Sequence, residues 1–294
     1  MKLKKKKRIR LADVLIMLFF ILLAIITIYP FYYVLIMSLA NAVATSKHVP
    51  YILPYVFDVT GYITIFEDLS FYRSLGVTLF VTIVGVAINM TLSIMGAYAL
   101  SKKSLIGRNI FLYLILFTML FSGGLVPGYL NIKNLGLVNS IWAMIVPTAL
   151  STYYMIIMKN YFISLPESLE EAARIDGANS FVILVKIIIP ISMPFVATFA
   201  LFYAVERWNE WYNALLYINQ KRLQPLQIYL RELLVSMNNQ LASQAQTMMS
   251  QTQKVLSSTV QMSCIIVTMV PILCVYPFVQ KHFVKGIMIG GIKE

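Results

Sequence analysis

The chain has 294 residues, 59% of them hydrophobic and 12% charged, with a mean hydropathy of +0.77. A soluble domain carries about 25% charged residues, so a water-soluble globule is excluded and the bilayer becomes the main solvent. The net charge of +12 falls between apolar stretches rather than along one exposed element, which argues against a nucleic-acid partner and for membrane topology.

In chain order, residues 1–13 form a basic head that opens MKLKKKKRIR, and an apolar stretch, 14–39, follows. That stretch exceeds the roughly 7–15 residues of a signal-peptide core and is read as a retained span. Five further windows, 75–100, 110–130, 140–162, 187–217 and 258–278, reach the roughly 20 residues that a crossing helix needs. None shows the weaker alternation of a barrel strand. The expected class is all-α: a polytopic membrane protein with six transmembrane helices over residues 14–280 and a tail, 281–294. With the amino terminus in the cytoplasm, sixteen of the 24 Lys and Arg residues lie on its side, seven lie opposite, and Arg207 falls within a span. The positive-inside rule then places both termini in the cytoplasm.

In the second span, Asn89 and Ser93 stand four apart, suited to bonding another helix or lining a path, and Gly85 and Gly96 permit close helix approach. Pro30, Pro127, Pro147, Pro194 and Pro271 invite kinks. Residues 163–190 read ISLPESLEEAARIDGANSFVILVKIIIP. Ser164 and Glu167 have capping-box spacing, Pro166 suits a first turn and Gly177 suits a helix stop, which predicts a short helix from Pro166 to Asp176. On it Leu169, Ala172, Ala173 and Asp176 share a face, and Glu170 pairs with Arg174 four residues on. Such a face flanked by acids fits a basic groove on a partner or an ordinary linker helix at the membrane surface.

The fifth window carries Glu206, Arg207, Trp208, Asn209, Glu210 and Trp211. Ionised groups inside a span default to a functional reading. Aromatic rings beside hydrogen-bonding groups suit sugars, so these residues, with Asn89, are the candidate lining of a transport path. Arg207 is the candidate counter-ion for the two glutamates. An outer aromatic belt with Arg207 reaching lipid headgroups is the other reading. In the loop 218–257, residues 228–237 fit a short helix lying on the membrane or a partner, or a plain solvated loop. Cys264 and Cys274 read as packing or lipid-facing residues, and His48 and His282 are too far apart to suggest a metal site. No phosphate-binding G-x-x-x-x-G-K-[ST] run is present, so ATP and its magnesium are expected on another polypeptide.

Glu171-Ala172-Ala173, Gly177, Ile187, Ile189 and Pro190 resemble the EAA loop of binding-protein-dependent ABC importer permeases, with Ile189 where leucine is usual. Gly96-Ala97-Tyr98-Ala99-Leu100-Ser101, Trp208-Asn209 and Phe283-Val284-Lys285-Gly286 resemble the carbohydrate branch, similar to the smaller membrane subunit of the maltose transporter. Phe121-Ser122-Gly123-Gly124-Leu125-Val126-Pro127 and Pro225-Leu226-Gln227 resemble its subgroup linked to polysaccharide-derived oligosaccharides. The resemblance implies a type I ABC importer permease fold in a bacterial cell membrane. It implies that Glu170, Glu171, Ala172, Ala173, Asp176, Gly177 and Pro190 couple the chain to an ATPase dimer. A second permease, an extracellular solute-binding protein and an oligosaccharide substrate are the other implied partners, with no enzymatic activity or cofactor in this chain. A secondary transporter or channel for small polar solutes is the alternative.

Overall fold

The computed structural model describes residues 11–41, 56–244 and 258–274, with side chains of 236–244 left aside. The residues 1–10, 42–55, 245–257 and 275–294 lie outside it, and with them His48, His282 and the expected tail. Apart from one isolated bridge, Ala40 to Phe57, the described secondary structure is helical. Lipid offers backbone groups no partners, so helices that satisfy their own are the available solution.

Among the described residues, two helices are long and apolar enough to cross a bilayer unaided: α1 (Leu11–Ser38) and, after the short α2 (Thr60–Glu67), α3 (Leu69–Ser101). The next three windows, expected as continuous spans, are instead broken. The helix α4 (Arg108–Leu120) turns by 116° into α5 (Leu125–Asn134). Two 3-10 turns, Ile141–Met144 and Val146–Thr148, lead at 47° into α6 (Thr152–Ser164). After α7 (Ser168–Ile175), α8 (Ser180–Ile191) bends by 88° into α9 (Met193–Trp208) and α10 (Tyr212–Tyr217). Then come α11 (Leu226–Gln244), longer than the expected 228–237, and the apolar α12 (Ser258–Cys274). Among the described residues, up to five helices span by length and composition if each bent pair counts as one, and the sixth expected window, 258–278, runs past Cys274 outside the described residues.

The breaks have local causes. Gly124 sits at φ 85° and ψ 173°, a region essentially closed to residues with a Cβ. The Ser151 hydroxyl accepts the Tyr154 N–H and so starts α6 afresh. A π-helical stretch, Leu184–Ile188, widens α8 just before its bend. Pro127 and Pro194 fall in the first turn after a break rather than inside a kinked helix, where a missing N–H costs nothing.

The chain divides into two compact units, Met1–Asp68 with Glu232–Met269, and Leu69–Arg231 with Val270–Glu294. In the first, Ser38 Oγ and Tyr62 Oη lie 2.7 Å apart, and Ser263 Oγ donates to the Ser38 carbonyl at 3.2 Å. Gly61 is required there, because a Cβ would stand 2.5 Å from Ser263 Oγ. The Asp58 carboxylate accepts the Thr60 hydroxyl and N–H and the Asn41 amide, which together hold its pKa below the usual carboxylate range.

In the second unit, α3 is the axis. Its later half, including Ile94, Ala97 and Tyr98, packs with Met155, Met158 and Phe162 of α6, Ile183 and Ile188 of α8, and Phe199 and Tyr203 of α9. Its earlier half, through Val81, packs with Ala143, Met144, Ile145, Ala214, Tyr217 and Ile228. Between Val81 and Ile94 on this helix lie Gly85 and the buried polar residues Asn89 and Ser93.

Candidate functional site

The predicted helix before Gly177 exists as α7, shorter than expected at both ends. The capping box is not formed: Ser164 ends α6 and its hydroxyl donates to the Tyr161 carbonyl, while Glu167 precedes α7 without a side-chain cap. Pro166 and Glu167 serve as carbonyl acceptors for the first turn instead. The stop is as read. Gly177 adopts φ 79°, its N–H reaches the Arg174 carbonyl at 3.0 Å, and the Ala178 N–H reaches the Ala173 carbonyl at 2.9 Å. These two bonds form a Schellman motif, which needs the left-handed glycine.

The expected shared face is divided. Ala173 is buried against the α3, α6 and α8 side chains and Leu169 is half-buried, whereas Glu171, Ala172, Ile175 and Asp176 are exposed. Ile175 is 86% exposed, the large apolar residue most open on this helix. Glu170 does not pair with Arg174. It forms an ion pair with Lys102, just past the end of α3, and the Lys102 ammonium also lies 4.1 Å above the Tyr98 ring. Pro190 lies near the bend after α8, apart in sequence from α7. Sequence reading missed Lys102, since a pairing across 68 positions leaves no periodic trace.

The second group separates into a buried and an exposed part. Arg207 is only 3% exposed and Asn89 1%. The guanidinium donates to Asn89 Oδ1 through Nε and Nη2, to the Met144 carbonyl and Thr148 Oγ1 through Nη1, and to the Ile145 and Thr148 carbonyls through Nη2. All of these acceptors are neutral, so the expected ion pair with Glu206 or Glu210 is not made, and the buried side chain does not reach headgroups. Arg207 thereby fills the carbonyl end of the 3-10 turns, as cations do at helix C-termini. Gly85 makes room, since a Cβ there would stand 2.9 Å from Arg207 Nε. Further along α3, Ser93 Oγ and Tyr203 Oη are 2.7 Å apart, and Tyr203 Oη also accepts the Ser151 N–H. Asn89 and Ser93 thus act as interhelical bonds. Trp208 is also buried.

Glu206, Asn209 and Trp211 are exposed and Glu210 is half-buried. Tyr154 Oη donates to Glu206 Oε1 at 2.6 Å, and its ring meets Phe199, Phe202 and Tyr203 at centroid distances of 5.0–5.8 Å. Glu210 accepts the backbone and side-chain amides of Asn213 and so caps α10. Asn209 accepts from Gln227 Nε2 at 3.2 Å. Glu206 therefore presents a carboxylate beside aromatic rings packed edge-on or tilted, a surface able to accept hydroxyl hydrogens and cover the C–H face of a ring. Tyr154 was the residue sequence reading missed here. Among the described residues, no group of His, Cys, Asp and Glu could hold a metal.

No family model matches the chain. It is 41% identical over 286 residues, 97% of this chain and 99% of the relative, to the polygalacturonan/rhamnogalacturonan transport system permease protein YtcP of Bacillus subtilis (strain 168). Protein LplC of the same organism is 41% identical over 284 residues, 97% of this chain and 95% of the relative. Among solved structures, it superposes with a TM-score of 0.85 and 32% identity on a chain of a bacterial ABC transporter involved in the import of the acidic polysaccharide alginate, covering 96% of this chain and 100% of that one. The chain belongs to the permease family of carbohydrate ABC importers. It is a multi-pass membrane component of a transport system rather than an enzyme.

Proposed function

We propose that this chain forms one half of the path by which an ATP-driven importer takes up an oligosaccharide. It crosses the membrane six times with both termini in the cytoplasm, and α7 seats in a cytoplasmic ATPase. The observation that carries the reading is the form of α7: Glu171, Ala172 and Ile175 stand exposed beyond a buried Ala173, and the Schellman stop at Gly177 fixes where the helix ends. An unpaired apolar residue flanked by acids is a surface made for a partner. A second permease completes the path, a solute-binding protein delivers the sugar, and Glu206, Asn209 and Trp211 face it. The names of the relatives support a substrate derived from a polysaccharide.

The test is to tag the chain, extract it gently from native membranes and identify what accompanies it. An ATPase, a second permease and a sugar-binding protein are expected. Recovery of the chain alone, under conditions that keep other membrane complexes whole, would overturn the reading in favour of a self-sufficient transporter.

A further inference from the structure

Among the acids on and beside α7, Glu170 behaves differently. Its side chain is 15% exposed and that of its partner Lys102 is 23%, whereas the neighbouring pair, Lys103 and Glu167, is 81% and 77% exposed with 3.4 Å between its charges. The Lys102 ammonium is held from two directions, by Glu170 and by the face of the Tyr98 ring, while its backbone N–H and carbonyl belong to the tight turn after α3. Tyr98 is 6% exposed and rests edge-on against Phe162 of α6. Ala173, one turn from Glu170 on α7, is buried in the same cluster. The end of α3 is fixed too, because Arg108 Nε donates to the Leu100 carbonyl at 2.8 Å. An exposed ion pair contributes little, whereas one shielded from water and packed on an aromatic face holds a geometry.

We infer that Glu170 is a positioning residue that clamps α7 to the end of α3 through Lys102, so that a displacement of α7 is delivered to α3. The inference rests on α7 being the helix that meets the ATPase. It separates the work of two adjacent acids: Glu171 faces the partner, and Glu170 faces inward and ties the partner's movement to this chain. The α3 helix is suited to receive it. It runs uninterrupted from Leu69 to Ser101 and carries Ser93 and Asn89, which bond Tyr203 and Arg207 of α9. About 20 Å of helix separates Lys102 from Asn89 at 1.5 Å per residue, and a continuous helix transmits a shift over that length where a broken one would bend. The three broken spans are not equivalent routes.

The experiment uses the complex captured from native membranes through a tag on this chain. With Cys264 and Cys274 replaced by serine, spin labels are placed at Ile106→Cys and Ser168→Cys, both exposed, and their separation is measured with and without MgATP and vanadate. The unmodified pair should give one distance in both states. Glu170→Gln should keep the ATPase bound yet move the trapped distance by about 2 Å or more, the scale of helix shifts in switching proteins. Lys102→Glu combined with Glu170→Lys should restore the single distance, and Lys103→Gln should change nothing. Should Glu170→Gln fail to accumulate, Lys102→Gln reads the same distance from the other partner. A single unchanged distance in the Gln variants, or no recovery in the exchanged pair, would overturn the clamp. Failure of the parent reading looks different: no ATPase would accompany the unsubstituted chain.

Discussion

The helix α7 and the Arg207 tier solve opposite problems. The first is a helix of about two turns that keeps Glu171 and Ile175 in the open; the second takes a full positive charge out of water and surrounds it with neutral acceptors. In α7 one acid, Glu170, is tied to Lys102, and the rest of the helix is set by the buried Ala173 and a glycine stop. In the tier the charge is the organising element: without Arg207, the Asn89 oxygen and the Met144 and Ile145 carbonyls lose its N–H groups, and the Thr148 carbonyl keeps only the Asn89 amide. Charge on a surface is available for partners, whereas buried charge is committed to structure.

The sharpest test of this contrast is Gly177→Pro. Proline fixes φ near −65° while the site requires 79°, so uptake should be lost while the chain still inserts and α3 to α6 keep their packing. Normal uptake would remove α7 from the coupling role. Arg207→Met should act the other way, reducing the amount of folded chain before any step of transport. Leaving several buried acceptors bare costs about 1–3 kcal/mol each, and the readout is thermal stability of the detergent-extracted protein. If Arg207→Met matched the parent in stability but failed in uptake, the tier would belong to the transport chemistry instead.

Smaller effects divide the exposed wall from the tier. Glu206→Gln removes an exposed carboxylate that accepts the Tyr154 hydroxyl, so stability should hold while the substrate concentration for half-maximal uptake rises by about tenfold, roughly 1.4 kcal/mol. Loss of stability in that variant would mean that Glu206 is structural, like its neighbour. The smallest effect is expected in the first unit. The folded pKa of Asp58 is depressed, so its contribution is present above the unfolded value near 3.8 and fades as pH falls through the folded one. Asp58→Asn should therefore lower the melting temperature slightly in the neutral region and flatten the acid limb, so that variant and parent converge at low pH.

Much of α7 was legible because its signals are local. A left-handed glycine, a small-residue pair and acids at helical spacing all act within one or two turns. The capping box at Ser164 misled because the preceding helix claimed that serine, a competition between neighbours that spacing cannot reveal. Glu170 misled in the same way. Arg174 stood at the favoured interval on its own helix, but Lys102, far along the chain, offered a pairing shielded from water.

Composition by itself determined that the chain lives in a membrane and is helical there, since apolar length and the demand for backbone hydrogen bonds leave no other solution. It also marked α7 and its stop. Which spans break, which way Arg207 turns, and which acid turns inward were decided by the tertiary structure. Those outcomes depend on what each residue meets from a distant part of the chain: Gly85 leaving space for a guanidinium, and three carbonyls at the end of a short turn waiting for its donors.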